Sequence, residues 1–187
     1  LDPEEHLGDD PARTRNFVLA MHERARGVAQ GVIRFLDLEG AGSLLDVGGG
    51  PGTYAMLLSG RYPELQTTVL DLPAVAGVAN ELITQQGLSD RVKAVGGDAA
   101  SGDYGEGTYD AVLFSGVLHQ MSPETIQRML VGAHRALVPG GKVLISDIML
   151  DVVKTQPTFA TLFSVQMLLS SREGAVFSVE DCEIWLE

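Results

Sequence analysis

The sequence predicts an α/β fold with a doubly wound parallel sheet of about five strands and helices on both faces. Short apolar segments alternate regularly with segments of helical periodicity, as expected for strands joined by right-handed helical crossovers. One apolar segment, residues 43–47, runs directly into a glycine-rich turn. Another, residues 109–114, is apolar almost throughout, which is typical of a strand covered on both faces. The 187 residues suffice for one well-packed domain and are short for two.

The predicted elements follow one another along the chain. Residues 1–15 are acidic and polar and contain two prolines, so we expect a connecting segment there. Apolar side chains then recur at helical spacing over residues 16–37. We predict strands over residues 43–47, 67–70, 91–95, 109–114 and 142–146, and helices over residues 51–61, 74–86, 123–137, 159–169 and 179–186. Gly87 can close the helix before it, and Ser122 can cap the helix after it.

The charge of the chain narrows the classes of partner. The formal net charge is −12, from 25 acidic residues against 13 lysines and arginines, and such a surface repels nucleic-acid phosphates. The arginines of residues 13–15, together with Arg24 and Arg26, lie among acids or at helical spacing, so we interpret them as a solvated helix face. The same interpretation is given to three histidines, His6, His22 and His134. We therefore expect no nucleic-acid partner.

Composition also indicates the compartment. No apolar run approaches the roughly 18 residues of a membrane span, so we expect no membrane partner. Cys182 is the only cysteine, which excludes an intrachain disulfide and favours a reducing environment. Because no basic-then-apolar leader is present, we expect a cytoplasmic protein. Cysteines and histidines do not cluster at metal-ligand spacing, so no metal site is predicted.

The segment from Asp46 to Gly52 is the strongest local signal. Four glycines occupy five positions, 48–52, directly after an apolar strand and before a predicted helix. Glycines permit positive φ and let a ligand lie against bare backbone, as in the cofactor-binding turn of a Rossmann-like sheet. A plain glycine-rich tight turn is the alternative.

Acidic residues follow three successive predicted strands and indicate the kind of cofactor. Asp46 would repel a pyrophosphate, whereas it suits a ligand that carries an ammonium and a sulfonium, namely S-adenosylmethionine. Asp71 can accept both ribose hydroxyls, and Asp98 can accept the adenine amine. Singly, such acids are commonly helix caps or turn formers. A dinucleotide cofactor, and so an oxidoreductase, is the less favoured alternative, because Thr53 replaces the third glycine of that fingerprint.

Several motifs together resemble class I S-adenosylmethionine-dependent methyltransferases. They are Asp46-Val-Gly-Gly-Gly-Pro-Gly52, Asp71-Leu-Pro73, Gly97-Asp98, Leu118-His119 and Pro139-Gly-Gly141. More narrowly, the chain resembles the small-molecule O-methyltransferases related to caffeic acid and acetylserotonin O-methyltransferases. Asp71-Leu-Pro73 and the tract 159–185 point to this branch, and the similarity runs from about residue 16 to the last residue.

The resemblance implies positions for the cofactor. Residues matching family cofactor contacts are Gly48, Gly50, Asp71, Asp98 and Ser115, and Met21 matches a position near the reactive methyl. We expect the same site to include Asp46, Gly52, Leu72 and Ala99. The resemblance also implies domain boundaries: residues 1–40 are the connecting segment and helix of an amino-terminal dimerisation domain, and residues 41–187 are the cofactor-binding domain without the family's final antiparallel strand pair. The whole protein is then expected to be a homodimer.

The resemblance implies a catalytic pair as well. His119 matches the family's general base, and Asp147 matches an acid that orients it, although Gln120 and Met121 replace the family's Asp-Trp and Val176 replaces a second acid. Alternatively, His119 supports its loop and Asp147 is a polar strand terminus. Met167, like Met21, is assigned to the pocket wall, with a core role as the alternative.

The function implied by these residues is methylation of a phenolic or hydroxylated small metabolite at oxygen. N- or C-methylation and a cofactor-binding fragment without catalysis are the alternatives left open.

Overall fold

The computed structural model describes residues 7–187, which form one parallel sheet flanked by helices. Its strands are β1 (Ser43–Val47), β2 (Gln66–Asp71), β3 (Val92–Gly96), β4 (Tyr109–Ser115) and β5 (Leu137–Ser146). They lie in the order β3-β2-β1-β4-β5, and each neighbouring pair is parallel. The winding reverses between β1 and β4, and open sheets of this type bind ligands at such a switch point. The predicted doubly wound sheet of five strands is confirmed.

The helices occupy the segments predicted for them, with small shifts at their ends. They are α1 (Pro11–Val32), α2 (Thr53–Arg61), α3 (Pro73–Gln85), α4 (Pro123–Ala136), α5 (Thr158–Ser170) and α6 (Val179–Leu186), with 3-10 turns at Ile33–Phe35, Ala99–Ser101 and Leu118–Gln120. Ser122 caps α4 as expected, because its hydroxyl accepts the Thr125 amide at 3.3 Å.

Alternation of side chains along the central strands builds the core on both faces of the sheet. Leu44 of β1 and Leu113 of β4 pack on one face with Leu58 of α2. Leu45 and Phe114, from the same two strands, pack on the other face with residues of α4. The predicted covering of residues 109–114 on both faces is therefore confirmed, and the central strands are rigidly held.

The amino-terminal helix begins earlier than the sequence suggested. Asp10 accepts the amides of Ala12 and Arg13 at 2.9 and 3.1 Å, and Pro11 occupies the first turn, where its missing N–H costs nothing. The predicted start of the helix at residue 16 was thus wrong by five residues, while residues 1–6 of the predicted connecting segment lie outside the described part. The helix packs on α2 and α3, so it forms part of the same body as the sheet.

β5 also begins earlier than predicted. The sequence predicts a strand from residue 142, after Pro139-Gly140-Gly141. The structure instead extends β5 back to Leu137, with a register shift opposite Tyr109 and Ala111. A proline is tolerated there because β5 is an edge of the described sheet, where one backbone donor can be missing. Within residues 7–187, none of the helices combines the length and apolarity that a membrane crossing requires.

Candidate active site

A cavity of about 570 Å³ opens at the carboxyl ends of the strands. Loops after all five strands and one face of α1 line it. The sequence-predicted residues that line it are Met21, Gly48, Gly50, Asp71, Leu72, Asp98, Ala99, Ser115, His119 and Asp147. Three others, Asp46, Gly52 and Met167, are not among its lining residues. Parallel strands bring their ends to a single edge, which explains why residues far apart in sequence meet here.

The glycine loop is built for close packing. Gly48 has φ +64°, and a Cβ at this position would lie 2.5 Å from Cγ2 of Val117. The Gly48 amide donates to the Leu70 carbonyl at 2.7 Å, which fixes the loop to the end of β2. Gly50, with φ +53°, has no atom within 4 Å of its Cβ position, so its backbone is bare toward the cavity that it lines. A ligand can therefore lie directly on this turn.

Asp71 joins the glycine loop to the end of β2. Its carboxylate accepts the amides of Gly50 and Leu72, each at 2.7 Å. Burial raises the pKa of Asp71, and these two backbone hydrogen bonds oppose the rise. Because two carboxylate oxygens together accept about four hydrogen bonds, capacity for two more remains at the cavity. The residue thus suits a ligand with a pair of hydroxyls.

Asp46 lies beneath the loop rather than on the cavity. The residue is 0% exposed, and neither carboxyl oxygen has a hydrogen-bond partner. A Cβ on Gly49 would lie 2.6 Å from the Asp46 carboxyl, so the loop rests directly on it. Burial and, secondarily, the charge of Asp71 raise the pKa of Asp46 to about 7, and the Ala55 amide opposes this without a full hydrogen bond. Asp46 therefore supports the loop from below and does not itself line the cavity.

The turn after β3 is held by α4. Asp98 accepts the Ala100 amide at 2.8 Å, and both Asp98 and Ala99 line the cavity. From α4, the Arg128 guanidinium donates to the Ala100 carbonyl at 2.8 Å, and Arg135 donates to the Gly102 carbonyl at 2.9 Å. Sequence analysis did not identify these two arginines, because they lie some 30 residues after the turn that they contact. They fix the cavity wall from outside.

His119 and Asp147 form a buried pair on the opposite wall. Nδ1 of His119 lies 2.7 Å from Oδ1 of Asp147, and both residues line the cavity. Asp147 also accepts the amides of Leu118 at 3.0 Å, His119 at 3.3 Å and Ile148 at 2.7 Å. With four donors around it, the carboxylate favours the tautomer of His119 that carries its proton on Nδ1. Nε2 is then the nitrogen free to accept a proton.

Aromatic packing also orients the imidazole. The Phe163 ring meets the His119 ring edge to face, with 5.0 Å between ring centres. The Ala175 amide donates to the His119 carbonyl at 3.0 Å, so the turn is held on both sides. Phe163 was not singled out in the sequence, although its place in an apolar helix four residues before Met167 was the available signal. The imidazole thus lines the cavity and is also held within its loop, an arrangement that fits both the general-base and the loop-supporting hypotheses.

One residue of α1 differs from the solvated face expected of it. His22 is buried, and its Nδ1 lies 2.8 Å from the Thr53 hydroxyl at the start of α2. Burial is the main cause that lowers the pKa of His22. This prediction was wrong because helical spacing does not reveal which elements pack on a helix. Arg24 is exposed as predicted, and it also lines the cavity. His134 is exposed as predicted, and His6 lies outside the described residues.

Met167 and Gly52, two of the predicted site residues, pack against buried side chains and do not line the cavity. Met167 is buried in a cluster with Leu150, Ala160, Phe163 and Val176, which corresponds to the core alternative. Gly52 precedes the first residue of α2 with φ +72°, and its Cβ position is 3.3 Å from Val69. Across residues 7–187, no group of three or more His, Cys, Asp and Glu side chains is arranged to hold a metal ion.

Known proteins share both this sequence and this fold. Residues 4–185 match the family model described as an O-methyltransferase domain. The chain is 32% identical over 170 residues to 3-hydroxy-5-methyl-1-naphthoate 3-O-methyltransferase of Streptomyces sahachiroi, which covers 91% of this chain and 49% of that protein. It is 31% identical over 170 residues to L-tyrosine C(3)-methyltransferase of Streptomyces lavendulae, which covers 91% and 46%.

A solved structure of PigF with SAH superposes with a TM-score of 0.89 at 28% identity, over 100% of this chain and 56% of that one. PigF is an S-adenosyl-L-methionine-dependent methyl transferase of a Serratia strain. The chain thus spans about half the length of the curated relatives it matches. From the extent of the family match and the shared fold, the chain belongs to the O-methyltransferase domain family.

Proposed function

We propose that this chain is the S-adenosylmethionine-binding core of a methyltransferase that methylates a hydroxyl group of an aromatic small metabolite. One observation carries the proposal: the His119–Asp147 pair and the glycine loop with Asp71 open onto the same cavity. A hydroxyl that approaches the imidazole can therefore also approach a group bound on the loop. Small-metabolite methyltransferases among the relatives support the substrate class.

The wall formed by β1, β2 and β3 fits S-adenosylmethionine. The bare backbone at Gly50 would hold the methionine portion, Asp71 the ribose hydroxyls, and Asp98 with Ala99 the adenine. Unlike a pyrophosphate, this ligand carries a net positive charge, because its ammonium and sulfonium outweigh its one carboxylate, so it suits a wall that includes Asp71 and lies above the buried Asp46. When bound, it supplies a methyl group made electrophilic by a sulfonium.

His119 acts as the general base in this proposal. The substrate O–H proton passes to Nε2, and the Nδ1–H remains hydrogen-bonded to Asp147. The oxygen left with the electron pair would be the atom to which S-adenosylmethionine supplies its methyl group, with S-adenosylhomocysteine as the second product. The negative charge of Asp147 stabilises the imidazolium that forms. Three backbone amides that donate to this carboxylate keep it in place. The remaining requirement is alignment of oxygen, carbon and sulfur in one line, which the rigid strand ends provide.

Methylation at carbon is the second candidate. The similarity to an L-tyrosine C(3)-methyltransferase favours it, since removal of a phenolic proton also makes the adjacent ring carbon nucleophilic. The same base would serve: His119 would take the phenolic proton, the ring carbon would accept the methyl group, the ring proton would pass to solvent, and the imidazolium would return its proton to the phenolate oxygen. The position of the methyl group in the product, read by nuclear magnetic resonance, separates the two reactions.

The cofactor assignment is tested by calorimetric titration with S-adenosylmethionine, S-adenosylhomocysteine and NAD side by side. We expect the first two to bind and Asp71→Ala to weaken S-adenosylhomocysteine by ~1.5–3 kcal/mol, the cost of losing charged hydrogen-bond partners. Asp90→Ala is the matched control, because Asp90 is exposed and does not line the cavity. Binding of NAD alone would overturn the assignment.

The base is tested by single-turnover methyl transfer in the whole protein with His119→Gln. We expect a rate loss at the low end of ~10²–10⁴-fold for an ordinary phenol, and a smaller loss for an acidic phenol that ionises unaided. S-adenosylhomocysteine affinity should be retained. Equal and small losses for both phenols would make His119 a positioning residue instead.

The wider organisation is part of the same proposal. Residues 1–40 would connect to an amino-terminal dimerisation domain, residues 41–187 would be the cofactor-binding domain, and the whole protein would be a cytoplasmic homodimer of secondary metabolism. The exposed apolar side chains of α5 support a further covering surface, and biosynthetic relatives such as a mitomycin 6-O-methyltransferase support the metabolic role. Light scattering of the whole protein tests the dimer.

A further inference from the structure

The face that α1 turns to the cavity carries a single positive charge. The lining residues of this helix recur at helical spacing and are Phe17, Val18, Met21, Arg24, Ala25, Val28 and Val32. All of them except Arg24 are apolar. Among the cavity-lining residues in the described part of the chain, Arg24 is the one lysine or arginine.

Arg24 is not engaged by an acid in the part of the chain that the structure describes. Within residues 7–187, no carboxylate lies within ion-pair distance of its guanidinium. Glu23, the adjacent acid, is paired with Arg26 at 3.4 Å. The guanidinium of Arg24 instead lies over the Phe163 ring, with 5.9 Å between Cζ and the ring centre. An aromatic face holds the cation in place and leaves its N–H groups available to a ligand.

The same Phe163 ring links Arg24 to the base. Because Phe163 is 5.0 Å from His119 between ring centres, the guanidinium carbon lies within about 11 Å of the imidazole centre. A one- or two-ring aromatic scaffold with a hydroxyl at one end and a second substituent at the other fits within this upper limit. Met21 and Phe159 also line the cavity, and their side chains suit a flat apolar ring.

Charge explains why a cation matters at this position. The chain has a net charge of −12, and Asp71, Asp98 and Asp147 all line the cavity. Without a local cation, this field repels an anionic substrate. A guanidinium–carboxylate pair is strong and directional, since it forms two parallel charge-assisted hydrogen bonds.

We propose that Arg24 binds the carboxylate of the substrate, so that this enzyme acts on hydroxylated aromatic carboxylates. The inference rests on the proposed function and specifies its substrate class. The carboxylate sits at Arg24, the ring lies against the α1 face and Phe159, and the reacting hydroxyl meets Nε2 of His119. Arg24 therefore sets specificity and takes no part in the methyl transfer itself.

The test compares two ligands that differ in charge and share their shape, 3-hydroxy-1-naphthoate and its neutral amide. Their affinities are measured by calorimetry with the chain saturated by S-adenosylhomocysteine, and again without it. We expect the wild type to prefer the carboxylate, and Arg24→Met to weaken the carboxylate about tenfold or more while the amide is unchanged. Arg24→Lys should recover part of the loss. Arg26→Met is the matched control, because it removes the same charge from the same helix outside the cavity.

The outcomes separate this inference from the proposed function. Equal losses of carboxylate and amide in Arg24→Met would show a packing role and overturn the inference, as would equal losses in Arg24→Met and Arg26→Met. No preference of the wild type for the carboxylate would also overturn it. Failure to bind S-adenosylhomocysteine would instead contradict the proposed function, and the titrations without it still decide the charge preference.

Discussion

The described chain covers the centre of the sheet and its β5 edge to different extents. At the centre, α2 and α3 pack closely beside β1 and β2, and side chains such as Leu44 and Leu58 are 0% exposed. At the β5 edge, the residues of the strand are only partly buried, and α5 leaves Leu168 and Leu169 71% and 79% exposed. The glycine loop and Asp71 belong to the central region. The half of the cavity that we propose for the cofactor is therefore pre-formed by a complete core, whereas the half proposed for the substrate adjoins apolar surface that remains open to contact.

The largest expected effect on stability contrasts Leu44, at the centre of the sheet, with Leu168 of α5. Leu44→Ala should lower the free energy of unfolding by about 2–5 kcal/mol, because it leaves a cavity between β1 and α2. Leu168→Ala should change it by less than about 0.5 kcal/mol, because that side chain is already in water. Urea denaturation of both variants measures the difference. Similar losses for the two leucines would mean that α5 is covered in solution.

The next effect concerns the acid beneath the glycine loop. Asp46 has a folded-state pKa of about 7, whereas an ordinary solvated aspartate has a pKa of 3.8, so the unfolded chain loses this proton first as pH rises. The free energy of unfolding should therefore fall between pH ~4 and ~7, by as much as a few kcal/mol, and stay level above that window. Asp46→Asn should remove this fall, which denaturation at a series of pH values measures.

Asp110 provides a control of opposite sign. Hydrogen bonds from the Ser43 hydroxyl, then from the amides of Gly42 and Ser43, hold the pKa of Asp110 low, so its contribution is present above pH ~4 and lost as pH falls. Asp110→Asn should lower stability at neutral pH, whereas Asp46→Asn should not. If Asp46→Asn leaves the pH profile unchanged, the buried carboxyl is not protonated in the folded chain.

A smaller effect tests how α4 holds the cofactor wall. A Cβ on Gly132 would overlap the backbone of Gly102, so Gly132→Ala must push the turn that carries Ala99 away from α4. We expect a loss of ~1–3 kcal/mol in stability and a weaker affinity for S-adenosylhomocysteine. Gly77→Ala is the control, because its Cβ position in α3 has no atom within 4 Å, and it should stabilise by ~0.5–1 kcal/mol. Unchanged affinity in Gly132→Ala would show that the turn does not contact the ligand.

The smallest expected effect on stability tests the exposed apolar face of α5 directly. The isolated chain should self-associate through the exposed α5 face, and the double variant Leu168→Gln, Leu169→Gln should reduce this with a change in unfolding free energy below about 1 kcal/mol. Light scattering over a range of concentrations measures the association. A wild-type chain that remains monomeric throughout would contradict the importance of this face.

The sequence identified the elements and the residues at their ends because local rules govern both. Alternation and apolar runs located all five strands, and the positions of Asp71, Asp98 and His119 after their strands placed them at one edge, since parallel strands bring their carboxyl ends together. Glycines at positions 48 and 50 marked the ligand-facing turn through their conformational freedom alone. These features depend on neighbours within a few residues.

Only the tertiary structure decided where the remaining side chains point. Asp46 lies under Gly49 rather than in the cavity, His22 is buried against Thr53, and the exposed Arg24 lines the cavity with its guanidinium over Phe163. In each case the deciding partner is a loop or helix that the local pattern does not name, and a helix or strand presents its faces identically until something packs on one of them. The sequence thus determined the sheet and its chemical edge, while packing between distant segments determined which charges face the cavity.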